Sequence, residues 1–229
     1  MSSLGGASSS PAHEGRLREL RFACGGASAQ KSQLLDLALL CEQLGLDQEA
    51  IATYERRLAM GGSGADVWLS LYRGSRLLHR QRGVGVPDLI QAYVRTYQYD
   101  PSRLEPLHPL CGIYRRGNEP EMAFSLARLV FETPWPHPSV VGFDEAIYRV
   151  LLPSEYALSA YAMGRANQAI PMFRYLLSCS ENFEIPSEVL DAARLLGLGD
   201  LGLAGPKVSA DGIEWPMLGF LKTGWWEVE

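Results

Sequence analysis

Histidine and cysteine offer the widest chemistry in this 229-residue chain, and both residue types are scattered along it. The positions are His13, His79, His108 and His137, and Cys24, Cys41, Cys111 and Cys179. No histidine pair has H-x-x-x-H spacing and no cysteines form a C-x-x-C pair, so neither type predicts a metal site. No motif links a nucleophile to a histidine base. We therefore expect no catalytic residue, no metal and no cofactor.

Arginine supplies nearly all of the basic charge, since the only lysines are Lys31, Lys207 and Lys222. A guanidinium binds carboxylates and phosphates through paired hydrogen bonds more readily than an ammonium does. The net charge of −5 argues against general nucleic-acid binding, which requires a basic surface. Arginines gathered on one face would instead indicate a localised anionic partner.

Two segments share a spacing that would place such side chains on paired helices. In 34–60 and 155–177 a turn glycine is followed five residues later by alanine and then, four further on, by an aromatic residue. The residues are Gly45, Ala50 and Tyr54, and Gly164, Ala169 and Phe173. The small residue lets antiparallel helices approach closely, and the aromatic lies on the same helix face. This spacing is typical of a tetratricopeptide (TPR) solenoid.

Helical periodicity extends over most of the chain. It predicts nine helices, at about 31–44, 47–60, 66–79, 87–99, 103–116, 119–132, 143–162, 165–179 and 186–196. The predicted fold is all-α, a right-handed superhelical array of antiparallel helical hairpins. We expect a disordered leader over 1–30, with room for a short helix around 14–23. The repeat domain would occupy 31–196, and an irregular tail rich in tryptophan would occupy 197–229.

The repeat register predicts which residues line the concave groove of such an array. Aligned on Gly45, Trp68, Tyr114 and Gly164, four 34-residue units fit, with the extra residues falling in loops. The groove positions are Glu42, Gln43, Asp66, Arg73, Arg76, Glu105, His108, Arg115, Arg116, Ser154, Leu158 and Tyr161. The middle of the groove would hold Arg73, Arg76, His108 and Arg115. Converging guanidinium groups favour an anionic partner, which is an acidic peptide, a chain carboxylate or a phosphate, and an acidic segment of a partner protein is the one we expect. The alternative is a solvated arginine face paired with carboxylates of the neighbouring hairpin.

Particular segments resemble one subfamily of these repeats. They are YERRLAMGG (54–62), DVWLSLY (66–72), AYVRTYQYDPSRLEPL (92–107) and FDEAIYRVLLPSEYALSAYAMGR (143–165). Over about 34–195 the chain is similar to the TPR region found beside family 2 glycosyltransferase domains. The resemblance implies a helical array associated with sugar transfer. This sequence holds no D-x-D metal and nucleotide-sugar motif, so no catalytic residue carries over from the family.

An adjacent acidic pair, Asp144 and Glu145, lies within the last of these segments, at the head of a predicted helix. Acidic side chains at that position stabilise the helix dipole and cap the free N–H groups. We expect that structural role. A sugar-facing role is the alternative that follows from the resemblance.

The tail GIEWPMLGFLKTGWWEVE holds three of the five tryptophans, Trp215, Trp225 and Trp226. A solenoid exposes an apolar end that must be covered, so the tail is expected to fold back as a cap or along the groove. The alternative is an anchor for another protein, since tryptophan is favoured at binding hot spots.

Together these patterns predict a noncatalytic protein-binding or scaffolding module, with an accessory role in glycosyl transfer. A glycosyltransferase or a glycan acceptor is the candidate partner. The alternative is a structural subunit of a large complex, anchored through the tail. No apolar run approaches the roughly 20 residues of a membrane span. The isolated cysteines suit a reducing compartment such as the cytoplasm, and targeting by the leader stays open.

Overall fold

The computed structural model describes residues 11–26, 29–198, 208–209 and 212–213. Over these residues the chain is all-α apart from one short β-pair, which confirms the predicted class in its coarse form. The helices are α1 Pro11–Cys24, α2 Lys31–Gln43, α3 Asp47–Ala59, α4 Ala65–Arg80, α5 Val86–Tyr99, α6 Leu107–Arg116, α7 Pro120–Glu132, α8 Leu152–Ala162, α9 Ala166–Ser178 and α10 Ser187–Leu195. A π-helical turn, Ile147–Leu151, runs directly into α8. Strands β1 Val208–Ser209 and β2 Gly212–Ile213 pair antiparallel.

The helix bounds follow the predicted ones closely, with two informative differences. α6 begins at Leu107 rather than near residue 103, because the residue before Pro106 is disfavoured in helical geometry. The long helix expected over 143–162 is interrupted by the π-helical turn. The superhelical arrangement of the hairpins stays a prediction.

The structure also differs from the expected disordered leader over residues 11–24. α1 is a full helix there, longer than the short one anticipated, and it packs on α2. Its buried residues Leu17, Leu20 and Cys24 recur at helical spacing, so they form one apolar face. That periodic face gives α1 a place in the core.

The first compact unit runs to Asp100 and contains α1 to α5, each packed on the next. Its core centres on Trp68 and Tyr54, which are almost fully buried. Ala38 and Ala50 are completely buried and let α2 and α3 pack closely. The short connection between these two helices makes them an antiparallel hairpin.

The second compact unit begins at Pro101 and holds the remaining elements. α6 packs on α7 and α8, α7 packs on α8, and α8 packs on α9. α10 lies against α8 and α9. The central position of α8 explains why nearly all of its side chains are buried, including the polar Ser154 and Ser159.

Four helices end in the same hydrogen-bonded turn. In each, a residue with positive φ follows the helix, and the next N–H donates to a carbonyl five residues back: Leu46 to Cys41, Glu119 to Tyr114, Arg165 to Ala160 and Leu198 to Ala193. This is the Schellman cap. The positive-φ residues are Gly45, Asn118, Gly164 and Gly197. The first three caps lead into α3, α7 and α9, so one turn chemistry builds three hairpins.

Candidate binding sites

Three arginines form a row on α4. Arg73, Arg76 and Arg80 follow one another at three- and four-residue spacing, so they share one helix face. Arg80 Nη2 lies 3.1 Å from Asp47 Oδ1, and both of these side chains are substantially exposed. Arg76 is exposed between its neighbours, with its guanidinium carbon 5.7 Å from the ring centroid of Tyr72.

Arg73 is tied to the preceding hairpin. Its Nη1 donates to Glu42 Oε1 at 3.2 Å, and the hydroxyl of Tyr54 donates to Glu42 Oε2 at 2.9 Å. Burial, together with the Glu42 charge, raises the pKa of Tyr54, so the phenol remains a donor. The side chain of Arg73 is 36% exposed and that of Glu42 13%. Arg73 therefore has one carboxylate partner and an open side.

Arg115 of α6 is far more enclosed. Its Nε donates to Glu155 Oε2 at 2.8 Å, and its Nη2 lies 2.6 Å from Glu188 Oε2. Burial opposes its charge, but the hydrogen bond and charge of Glu155 outweigh this, so the pKa of Arg115 is raised. Only 17% of its side chain is exposed. This arginine joins α6 to α8 and α10.

The other candidate binding residues are placed as follows. His108 is half-buried on α6. Tyr161 is exposed at the end of α8 and meets Phe173 edge-on, with ring centroids 6.2 Å apart. Trp215, Trp225 and Trp226 lie outside the described residues. The roles of all five in binding stay predictions.

Three of the expected groove positions lie in the interior instead. Glu105 is fully buried, and Ser154 and Leu158 are also buried. Glu105 precedes α6 rather than standing on its face, because the helix starts later than the repeat register assumes. The other two lie on α8, which is packed against α6, α7, α9 and α10, so that nearly all of its side chains are enclosed.

The buried Glu105 belongs to a charged network that the sequence pattern does not predict. Arg103 Nε and Nη2 donate to its carboxylate, the latter at 2.6 Å, and the hydroxyl of Tyr148 donates to Oε2 at 2.8 Å. Tyr148 in turn accepts the N–H of Leu104 at 3.1 Å, and Arg103 Nη1 donates to the carbonyl of Val141 at 3.1 Å. Burial and the Glu105 charge raise the pKa of Tyr148. The network fastens the π-helical turn to the start of α6.

In the first unit, two residues of the family-like segments also hold turns. Arg57 is buried on α3, and its Nη1 donates to the carbonyl of Gly61 at 3.1 Å. The hydroxyl of Tyr99 accepts the N–H of Gly64 at 2.8 Å. Gly61, Gly62 and Gly64 have φ values of 64°, 105° and 101°, which explains the run of glycines before α4. The side chains of Arg57 and Tyr99 therefore stabilise the turn between α3 and α4.

The acidic pair at 144–145 also makes local contacts. Asp144 Oδ1 accepts the N–H of Ala146 at 3.1 Å, as a capping side chain does. Glu145 pairs with Arg149 one turn further along. These contacts agree with the structural role that we expected for the pair.

A cleft of about 650 Å³ lies in the second unit, between the end of the π-helical turn, the loop after α9 and α10. Its apolar lining is Leu151, Phe183, Ile185, Pro186 and Leu190. Glu184, Ser180 and Ser187 supply the polar part. The volume falls within the range of about 300–1,000 Å³ that is usual for ligand and anchor clefts.

Metal coordination and membrane spanning concern the described residues as a whole. No group of three or more histidine, cysteine, aspartate or glutamate side chains there is placed to hold a metal ion. No helix in the described part combines the length and apolar character needed to cross a bilayer.

Comparison of the chain with protein-family models, with curated proteins and with solved structures gives no match.

Proposed function

We propose that this chain is a noncatalytic protein-binding module that takes an acidic segment of its partner along the arginine row of α4. The observation that carries the proposal is the exposed guanidinium of Arg76, standing between Arg73 and Arg80 on one helix face. Guanidinium groups at this spacing match carboxylates presented by an extended or helical peptide.

The charge of the row supports an anionic partner. Among the described residues, Arg73 pairs with Glu42 and Arg80 pairs with Asp47, so these ion pairs set two carboxylates against the three guanidinium groups of the row. The Arg80–Asp47 pair is the more exposed of the two, and exposed pairs contribute about 0–1 kcal/mol, so an incoming carboxylate can replace it at little cost. Arg115 is excluded from the proposed surface, because two carboxylates already bind its guanidinium and most of its side chain is enclosed.

The identity of the partner is a further part of the proposal. The resemblance to the TPR region beside family 2 glycosyltransferases supports a glycosyltransferase or a glycosylated acceptor. The buried residues Arg57 and Arg103 of the similar segments hold turns and a packed network, which supports likeness in scaffold rather than in chemistry. The alternative is a structural subunit of a larger complex.

The first test is capture of partners from the native source by the tagged full chain at mild salt, followed by mass spectrometry. Arg76→Glu reverses one exposed charge of the row and should remove the partner. Arg95→Glu is the matched control, because Arg95 is also an exposed arginine, on α5 of the same unit. Retention of the partner by the tagged chain should weaken as the salt concentration rises. Equal recovery by the wild-type chain and Arg76→Glu would falsify binding through α4.

The captured proteins then separate the two functions. A glycosyltransferase or its acceptor, lost on Arg76→Glu, supports the accessory role. A stoichiometric set of unrelated subunits supports the structural-subunit alternative. Turnover of a sugar nucleotide by the isolated chain contradicts the noncatalytic assignment.

A further inference from the structure

The cleft of the second unit differs in chemistry from the arginine row of α4, because its lining is mostly apolar. Phe183, Ile185 and Leu190 give it an apolar interior, and Glu184 is an exposed carboxylate at its rim. Apolar clefts with a few polar groups hold aromatic or aliphatic anchors. An acidic segment of the kind proposed for α4 is disfavoured here, because Glu184 would repel it and Glu181 is also exposed on the same loop.

α10 forms one wall of this cleft and ends in an informative way. In α2, α6 and α8 the Schellman cap leads into a second helix that packs on the first. α10 ends in the same cap, at Gly197 and Leu198, but no second helix follows it among the described residues. Leu190 lines the cleft, and Leu195 is 78% exposed. Over the described residues, α10 therefore resembles the first helix of a hairpin, with apolar side chains that are not fully enclosed.

The chain that follows α10 has a suitable composition. Residues 215–226, WPMLGFLKTGWW, contain all three tail tryptophans and carry one charge, Lys222. We propose that these residues of the same chain occupy the cleft, with indole rings against Phe183 and Leu190 and with Lys222 near Glu184. The cap that we expected from the sequence would then bind in this cleft.

The connection is long enough for this arrangement. Nine residues, 199–207, separate Leu198 from Val208, allowing a span of roughly 30 Å at about 3.3 Å per residue. Strands β1 and β2 then pair Val208 with Ile213, so the chain leaves the hairpin beside the point where it entered. The aromatic segment follows directly after β2. Its tether to α10 is thus short, which gives it a high effective concentration at the cleft.

Site-specific photo-crosslinking of the full chain tests the proposal. Benzoylphenylalanine is placed at Leu190, with Met122 on α7 as the matched position, because Met122 is an exposed apolar residue that does not line the cleft. After irradiation, the monomer band is digested and mapped by mass spectrometry. We expect a crosslink from 190 to residues 215–226 within one chain, and at least a tenfold lower yield of that crosslink from 122.

A second variant keeps the experiment decisive. Trp225→Ala combined with Trp226→Ala should lower the yield from position 190 several-fold, since the indoles supply the contact. A crosslink that joins two copies of the chain, one to another protein, or none to 215–226 overturns the proposal. The result is independent of the arginine row, because none of these substitutions touches α4.

Discussion

Arg73 and Arg115 were both predicted to line the groove, yet the two units use them differently. Arg73 meets one carboxylate, Glu42, and its side chain is 36% exposed. Arg115 meets Glu155 and Glu188, and its side chain is 17% exposed. The number of carboxylates within reach decides whether an arginine remains open to a partner or becomes part of the scaffold. That number depends on neighbouring helices, which the repeat register does not describe.

Arg103 is more enclosed than either Arg115 or Arg73. Its side chain is 4% exposed, and Glu105 is fully enclosed beside it. Buried charges cost several kcal/mol of desolvation each, so they persist only when their hydrogen bonds are complete. The added contributions of Tyr148 and the Val141 carbonyl meet that condition. Arg103, Arg115 and Arg73 thus form a series of decreasing enclosure.

The largest effect is expected at the enclosed end of this series. Arg103→Met leaves the Glu105 carboxylate buried without its counter-charge and should lower the free energy of unfolding by about 3–5 kcal/mol. Urea denaturation of the full chain measures it. The double variant Arg103→Met with Glu105→Leu removes both charges, so its free energy of unfolding should fall by less than that of the single variant. A double variant that is less stable than the single would contradict this account.

An intermediate effect is expected for Arg115→Met. Glu155 loses its charged partner but is nearer to solvent, so the loss should be about 1–3 kcal/mol. Hydrogen exchange should report faster opening of α10, because Glu188 loses its tie to α6. Arg194→Met, which removes an exposed pair with Asp191, is the control and should change little. Unaltered exchange in α10 would show that the Arg115–Glu188 pair does not hold this helix.

Arg73→Met should have a smaller effect on stability, about 1 kcal/mol, because it removes the partner of one carboxylate rather than of two. Glu42 also keeps the hydrogen bond donated by the hydroxyl of Tyr54. The difference from wild type should shrink further in high salt, which screens exposed pairs. A loss as large as that of Arg115→Met would remove the distinction between the two arginines.

The smallest effect concerns acid stability in the first unit. Hydrogen bonding by Arg21 lowers the pKa of the Glu49 carboxyl below its ordinary value, against a smaller opposing contribution from burial. A lowered folded pKa stabilises the protein above the ordinary pKa, and this contribution is lost as the pH falls through the lowered value. Urea midpoints measured from neutral to acidic pH should therefore fall less steeply for Glu49→Gln than for wild type. Identical slopes would show that the Arg21–Glu49 pair does not contribute to the loss of stability in acid.

Sequence periodicity was sufficient to locate α2 to α10 and the hairpin turns, whereas α1 was expected only as a short helix in a disordered leader. Ala50 and Ala169 are completely buried, as the spacing after Gly45 and Gly164 predicts. Local chemistry also explains why Asn118 serves as a cap, since asparagine tolerates positive φ better than most residues. These features depend on neighbours within a few residues, which a single sequence displays.

The charged network could not be predicted in the same way. Arg103 and Glu105 flank Leu104 in a proline-bounded stretch, a local sign that they do not stand on a surface helix. Their partner Tyr148 lies 43 residues beyond Glu105, and nothing in the spacing links them. The cleft could not be predicted from the sequence either, because it is formed by the π-helical turn, a loop and α10, which meet only in the folded unit.

The π-helical turn has a consequence for comparing this chain with others. Each residue of an α-helix advances about 100° around the axis, and a π-helical turn holds one residue more than an α-helical turn. A related chain with one residue fewer between Ile147 and Leu151 would continue as an unbroken α-helix and still present the face that carries Tyr156. In an alignment of the two chains, a single-residue gap at the π-helical turn would therefore mark a conserved arrangement of side chains. An alignment without a gap at this turn would pair residues that lie on different faces of the helix.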